Sequence, residues 1–224
     1  MSAPLRLIIF DVDGTLVDSQ NSIVAAMKAA FAALDMPLPP RAELLGIVGL
    51  SLEVAMARLA PGRDPACHAR LADAYRDSFR SGRERGDLPP LFPGARAVLD
   101  RLAGVPENIL GIATGKSARG LAALIGAHGL DGVFATTQVA DHHPSKPHPS
   151  MIETAMAEAG VGPGDTVMIG DTSFDIDMAR AARVAAIGVD WGYHPAPALA
   201  AADRVIEDFE ALPRALDDIW AARQ

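Results

Sequence analysis

Asp11 and Asp13 stand two residues apart at the end of the apolar run Leu5–Phe10, and Gly14 follows at once. In extended backbone, residues i and i+2 point to the same side. Both carboxylates can therefore address one reaction centre from one strand end. One can attack while the other moves a proton, with a divalent cation offsetting the crowding of negative charge. Three further groups could do related chemistry. Thr114-Gly115-Lys116-Ser117 follows the apolar run Ile109–Ala113 and offers a hydroxyl and free backbone N–H groups, a natural seat for phosphate oxygens. An ordinary helix N-cap by Thr114 or Ser117 explains the same residues equally well. Lys146 lies among prolines in Ser145-Lys146-Pro147-His148-Pro149, on stiff backbone from which an ammonium can be aimed; by itself it reads as a solvated loop lysine. Asp171 and Asp175, in Gly170-Asp171-Thr172-Ser173-Phe174-Asp175-Ile176-Asp177, suit a Mg²⁺ site because hard cations take oxygen ligands. The alternative there is a helix N-terminus carrying acids that its dipole favours.

These groups need strand ends to hold them. Short β-type runs recur at Leu5–Phe10, Ile109–Ala113, Val133–Thr137, Thr166–Gly170, Ala185–Val189 and Arg204–Ile206. Helical patterns fall between most of them, at Gly94–Ala103, Ala118–His128, Ser150–Ala159 and Asp175–Arg183. Such alternation predicts an α/β fold with a mostly parallel sheet covered on both faces. It breaks once, between Ser19 and Leu91, where no strand is evident. Ile23, Met27, Ala30, Phe31 and Leu34 form one helical stripe, Leu52, Ala55, Met56 and Leu59 a second, and Leu71, Ala74, Tyr75 and Phe79 a third. The prolines at 37, 39, 40 and 61 separate them. The block reads as a helical insertion whose stripes are core packing.

The 224 residues suffice for one good core, or for a core domain plus a smaller second one. Lys and Arg number 20 against 28 Asp and Glu, a net charge of −8 with no basic block, so nucleic acid and anionic membrane are not expected as partners. No run approaches the ~20 apolar residues needed to span a bilayer. Cys67 is the only cysteine, which excludes an intrachain disulfide and suits a reducing cytoplasm. MSAPLRLIIFDVDG does not read as a signal peptide, since its apolar run is short and ends at Asp11. His142, His143 and His148 fit no tight four-ligand spacing and are taken as loop residues.

The four motifs, in this order, resemble the haloacid dehalogenase-like superfamily of phosphotransferases, in the branch with a helical cap inserted after the first motif. The resemblance covers almost the whole chain. It implies a Rossmann-like core of residues 1–18 and 92–224 and a cap of residues 19–91. It implies that Asp11 is the nucleophile that becomes an aspartyl-phosphate. Asp13 would be the general acid and then base, with its backbone carbonyl on the metal. Thr114 and the Gly115 N–H would hold the phosphoryl group, Lys146 would neutralise Asp11 and the phosphate, Asp11 and Asp171 would ligate Mg²⁺, and Asp175 would orient that sphere and Lys146.

Within the superfamily, dehalogenases and phosphonate hydrolases lack an acid where Asp13 stands, so Asp13 implies a phosphatase or a phosphomutase. Sugar phosphomutases with this cap place a histidine where Ile23 stands. DVDGTLVDS, Gly46–Ser51, SKPHP and Trp191-Gly192-Tyr193 most resemble phosphoglycolate phosphatase-like proteins. Two departures are Gly115-Lys116, where many relatives have Asn-Lys, and Arg183, where glycine is usual. The expectation is a cytoplasmic, Mg²⁺-dependent phosphatase acting on a small phosphorylated metabolite, 2-phosphoglycolate first, as monomer or homodimer. Its rivals are a sugar phosphomutase and a non-catalytic phosphometabolite-binding protein. Among the insert's cations, Lys28, Arg41, Arg58, Arg63, Arg70 and Arg76, the sequence does not single out those that face the site.

Overall fold

A computed structural model describes residues 4–223. The element order is β1 (Arg6–Phe10), α1 (Gln20–Ala33), α2 (Arg41–Gly46), α3 (Leu52–Leu59), α4 (Pro65–Glu84), α5 (Ala95–Ala103), β2 (Asn108–Thr114), α6 (Ala118–Ala127), β3 (Thr136–Val139), α7 (Ser150–Ala159), β4 (Thr166–Gly170), α8 (Ser173–Ala181), β5 (Ala185–Val189), β6 (Arg204–Ile206) and α9 (Leu212–Ala221). The six strands pair in parallel in the order β3-β2-β1-β4-β5-β6. This is the α/β, Rossmann-like arrangement expected.

The central strand shows why β1 needs an unbroken apolar run. Ile8 and Phe10 enter a cluster with α5, α6 and α9, whereas Leu7 and Ile9 enter a second cluster with α7 and α8. A parallel strand covered on both faces has no solvent side on which to alternate. From β1 the chain runs one way through β2 and β3 and the other way through β4 to β6. The carboxyl ends of β1, β2 and β4 thus meet at the reversal of strand order, where open α/β sheets bind ligands.

The insertion between β1 and α5 is helical, and α1, α3 and α4 bury their stripes in a third cluster around Met27, Phe31, Leu44, Met56 and Leu71. Asp64 caps α4 by accepting from the Cys67 N–H at 2.7 Å, with Pro65 opening the helix. Cys67 is half-buried and unpaired by any disulfide. The chain enters and leaves the insertion through two adjacent segments joined by an isolated antiparallel bridge at Val17 and Leu91: the Asp18 N–H donates to Pro90 O and the Phe92 N–H to Leu16 O, both at 2.9 Å.

Three local expectations shift. β3 begins at Thr136, not Val133, because pairing with β2 starts at Gly111↔Thr136. Val133 and Phe134 pack on the core from the preceding turn. The polar residues of β3 are satisfied by Glu158, whose Oε2 accepts from Thr136 Oγ1 at 2.6 Å and Gln138 Nε2 at 2.9 Å. The short helix α2 has no stripe to announce it. α8 ends at Ala181, and Arg183 takes a φ of +61°, the left-handed geometry that glycine enters without strain. No described helix is long and apolar enough to cross a membrane.

Candidate active site

Asp11 and Asp13 leave the end of β1 as expected, but they enter different surroundings. Asp11 is 1% exposed, and Lys146 Nζ lies 3.0 Å from its Oδ1. Neither Asp11 oxygen has a partner in hydrogen-bonding geometry. Asp13 lies nearer the opening and is saturated: Ser19 Oγ donates to Oδ1 at 2.5 Å, and Lys116 Nζ bonds Oδ1 at 2.8 Å and Oδ2 at 2.7 Å. Tyr193 Oη is 2.9 Å from Ser19 Oγ. Burial, reinforced by the charge of Asp13, raises the Tyr193 phenol, which stays protonated and can donate to Ser19.

The end of β4 supplies the opposite wall. Asp171 is fully buried, accepting from Thr15 Oγ1 at 2.9 Å and from the Tyr193 N–H at 2.8 Å. Its carboxylate fits between Gly14 and Gly192, and a Cβ on either would run into it. Gly14 also has a φ of +86°, so glycine serves both the turn and the close approach. Asp175 forms a capping box with Thr172 and receives Lys146 Nζ at 2.6 Å. Asp11, Asp171 and Asp175 each bring an oxygen within 4.8 Å of the others, a grouping that contains no histidine. His143 instead bonds Ser150 Oγ and Gln138 Oε1, each at 2.8 Å, and supports the β3–α7 junction.

Thr114 ends β2 with 1% exposure, and its Oγ1 accepts from the Lys116 N–H at 3.3 Å. The α6 cap is Ser117, which accepts from the Gly120 N–H at 3.2 Å, so Thr114 is not committed to capping. Gly115 faces the insertion so closely that a Cβ there would lie 2.6 Å from Leu50 O and 2.7 Å from Gly49 O. Ser145 Oγ accepts from the Ser51 N–H at 2.9 Å, a second tie between insertion and sheet.

Charge in the site is unbalanced. Three buried carboxylates face one buried ammonium. Burial, opposed by Lys146 and reinforced by Asp175, pushes Asp11 up to about 7. Burial and then the charges of Asp11 and Asp175 push Asp171 well above the carboxylate range. Burial alone would lower Lys146, but Asp11 and Asp175 outweigh it and hold the ammonium protonated. An all-oxygen donor set, two orphaned Asp11 oxygens and excess negative charge fit a small divalent cation of the Mg²⁺ type.

A cleft of about 1480 Å³ runs between insertion and core, from Asp11, Asp13 and Thr114 out past Tyr75, Phe79 and Arg83. Tyr75 and Phe79, expected as packing, do pack on the insertion's cluster but also wall this cleft. Of the insert cations named from the sequence, Arg76 lines the cleft, where Glu53 and Asp73 hold it. Sequence reasoning gave no role to Thr15, Ser19, Lys116 or the backbone N–H of Tyr193. DVDGTLVDS, Thr114-Gly115-Lys116-Ser117 and Trp191-Gly192-Tyr193 contain all four positions without revealing their partners. Ile23 is 2% exposed and packs in the insertion's cluster, where it also lines the cleft with an apolar side chain.

The haloacid dehalogenase-like hydrolase family model matches residues 8–189. A probable phosphatase, IndB, of Dickeya dadantii is 39% identical over 208 residues, 90% of this chain and 89% of that protein. A phosphoglycolate phosphatase of Pasteurella multocida is 28% identical over 84% of this chain and 87% of its own length. Among solved structures, a hydrolase from Pseudomonas syringae superposes with a TM-score of 0.84 at 26% identity, covering 96% of this chain and 99% of that one.

Proposed function

The chain belongs to the haloacid dehalogenase-like hydrolase family, and from that premise we propose that it is a Mg²⁺-dependent phosphatase working through an aspartyl-phosphate on Asp11. The observation that carries this reading is Asp11 itself: a fully buried carboxylate at the sheet's reversal point, with both oxygens free of hydrogen bonds and a lysine 3.0 Å away. A structural acid so buried would be paired on both oxygens. A nucleophile needs its lone pairs free.

Asp11 attacks phosphorus, and the bond to the leaving oxygen breaks as Asp13 gives that oxygen a proton. Asp13, now ionised, then takes a proton from the water that hydrolyses the acyl phosphate, returning Asp11 as carboxylate. Thr114 Oγ1 and the Gly115 N–H hold phosphoryl oxygens, and Lys146 offsets the repulsion between Asp11 and the incoming phosphate. Asp11, Asp171 and the Asp13 carbonyl would hold the cation, with Asp175 steering Lys146. When bound, Mg²⁺ neutralises charge on the nucleophile and the phosphoryl oxygens.

Residues 19–91 serve as a cap in this reading, and the paired segments at Leu16–Asp18 and Pro90–Phe92 serve as its hinge. The names of several relatives put 2-phosphoglycolate first among substrates to test. The test is turnover of a phosphomonoester panel with Mg²⁺, with chelator, and with Asp11→Asn. Loss of phosphate release in both of the last two conditions supports the reading. Undiminished release by Asp11→Asn would end it.

A further inference from the structure

Lys116 lines the cleft and touches the proposed general acid, yet the proposed chemistry gives it no role. Its Nζ is clamped on both oxygens of Asp13, at 2.8 and 2.7 Å, and the two side chains are only 15% and 13% exposed. Ser19 Oγ takes Oδ1 as well. A carboxyl that passes a proton to a leaving oxygen must turn an oxygen towards it, and here both are occupied. Lys116 must release Asp13 before Asp13 can serve.

We infer that Lys116 is the receptor for an anionic group on the leaving-group side of the substrate, and that its exchange from Asp13 to that anion frees Asp13 for the reaction. This rests on the phosphatase reading above. The loop that carries Lys116 is fixed, because the neighbouring Gly115 is pressed against Gly49 O and Leu50 O of the insertion and the Lys116 N–H bonds Thr114 Oγ1. The four-carbon stem is not fixed, and its ammonium can swing about that anchor. It starts two residues beyond Thr114, beside the phosphoryl seat. Phe79 of α4, its ring centroid 5.5 Å from Nζ, covers it from the insertion side.

The other cations of the cleft are differently placed. Arg76 is tied to Glu53 and Asp73, Arg80 to Asp77 and Arg85 to Asp87, with half to two-thirds of each arginine exposed, and exposed pairs of this kind discriminate weakly. Arg83 and Arg119 also line the cleft, half-buried and exposed respectively, but neither is paired with Asp13. The Lys116 side chain is mostly buried, so leaving its charge unpaired is costly. Exchange of Asp13 for a substrate carboxylate keeps the ammonium paired throughout, whereas a neutral leaving group offers it nothing and leaves Asp13 clamped. Ser19, backed by Tyr193, keeps Oδ1 in place after Lys116 departs, so Oδ2, no longer facing the ammonium, takes a proton from solvent and becomes the working oxygen that passes it to the leaving group. Charge on the leaving group, not its size, becomes the criterion of selection, in a cleft whose about 1480 Å³ exceeds what a two-carbon acid fills.

The test compares kcat/KM for 2-phosphoglycolate and for 2-hydroxyethyl phosphate, which has the same length and no carboxylate. The wild type should prefer the anionic substrate by about 10-fold or more, the factor that one hydrogen bond to a charged group carries. Lys116→Met should bring the ratio below about 3, through kcat as well as KM, and Lys116→Arg should restore most of it. Equal losses on both substrates in Lys116→Met would assign Lys116 a purely structural role and overturn the inference. A wild-type ratio near one, or hydrolysis of other phosphomonoesters but neither of these, would overturn it without any variant. Failure of the wild type to hydrolyse any phosphomonoester would instead sink the phosphatase reading.

Discussion

Lys146→Met removes one ammonium while keeping nearly all of the side-chain volume. Lys146 is 2% exposed and lies 3.0 Å from Asp11 and 2.6 Å from Asp175. Its loss leaves the Asp11, Asp171 and Asp175 cluster without a countercharge. Breaking a buried ion pair by deleting one partner costs about 3–5 kcal/mol. For a chain of this size each kcal/mol moves Tm by about 2–4 °C. The chelated variant should therefore melt roughly 6–20 °C below the chelated wild type. Part of the gap should close in millimolar Mg²⁺, which supplies positive charge to the same oxygens, although turnover stays lost.

The gap also has a pH dependence. Burial raises the folded-state pKa of Asp11 from 3.8 to about 7. A raised pKa means that stability is fully present below the unfolded value and is lost as pH rises through the folded one. The metal-free fold should thus weaken between about pH 4 and pH 7, and the variant, with less to oppose the carboxylates, should weaken more over that window. Circular-dichroism melts at pH 5 and pH 8, with chelator and with Mg²⁺, read both effects. A variant that melts within 2 °C of wild type at about pH 8 in chelator refutes the account of Lys146 as the countercharge of a buried acid cluster.

Asp11→Asn should abolish phosphate release without lowering the Tm of the chelated protein, since it removes one of three crowded carboxylates; a large Tm loss would show that Asp11 is structural. Asp171→Ala should raise the Mg²⁺ concentration needed for half-maximal activity by more than 10-fold, at about 1.4 kcal/mol per tenfold, and Asp177→Ala, on the exposed face of α8, should leave it unchanged. Equal metal-activation curves would remove Asp171 from the cation site. Gly192→Ala would drive a Cβ into the Asp171 carboxylate and should cost activity more than Gly164→Ala, which meets open space; comparable kcat values would show that Asp171 has room to move.

Much of this molecule is legible in local pattern. The run Leu5–Phe10 announces a strand buried on both sides because every residue of it is apolar, and DVDG announces a strand end because alternation puts both carboxylates on one side. The stripes of α1, α3 and α4 repeat at helical spacing and are core packing, as expected. Polar patterns mislead where a distant partner satisfies them: Thr136 and Gln138 are strand residues because Glu158 accepts their hydrogen bonds, and nothing near them in sequence says so. Tertiary structure alone decides that Lys116 meets Asp13 across 103 positions, that the Tyr193 N–H meets Asp171, and that Gly115 abuts Leu50. Periodicity reports which way a side chain points within its own element. The partner it finds depends on strand order, insertion placement and packing, which are set by burial summed over the whole chain.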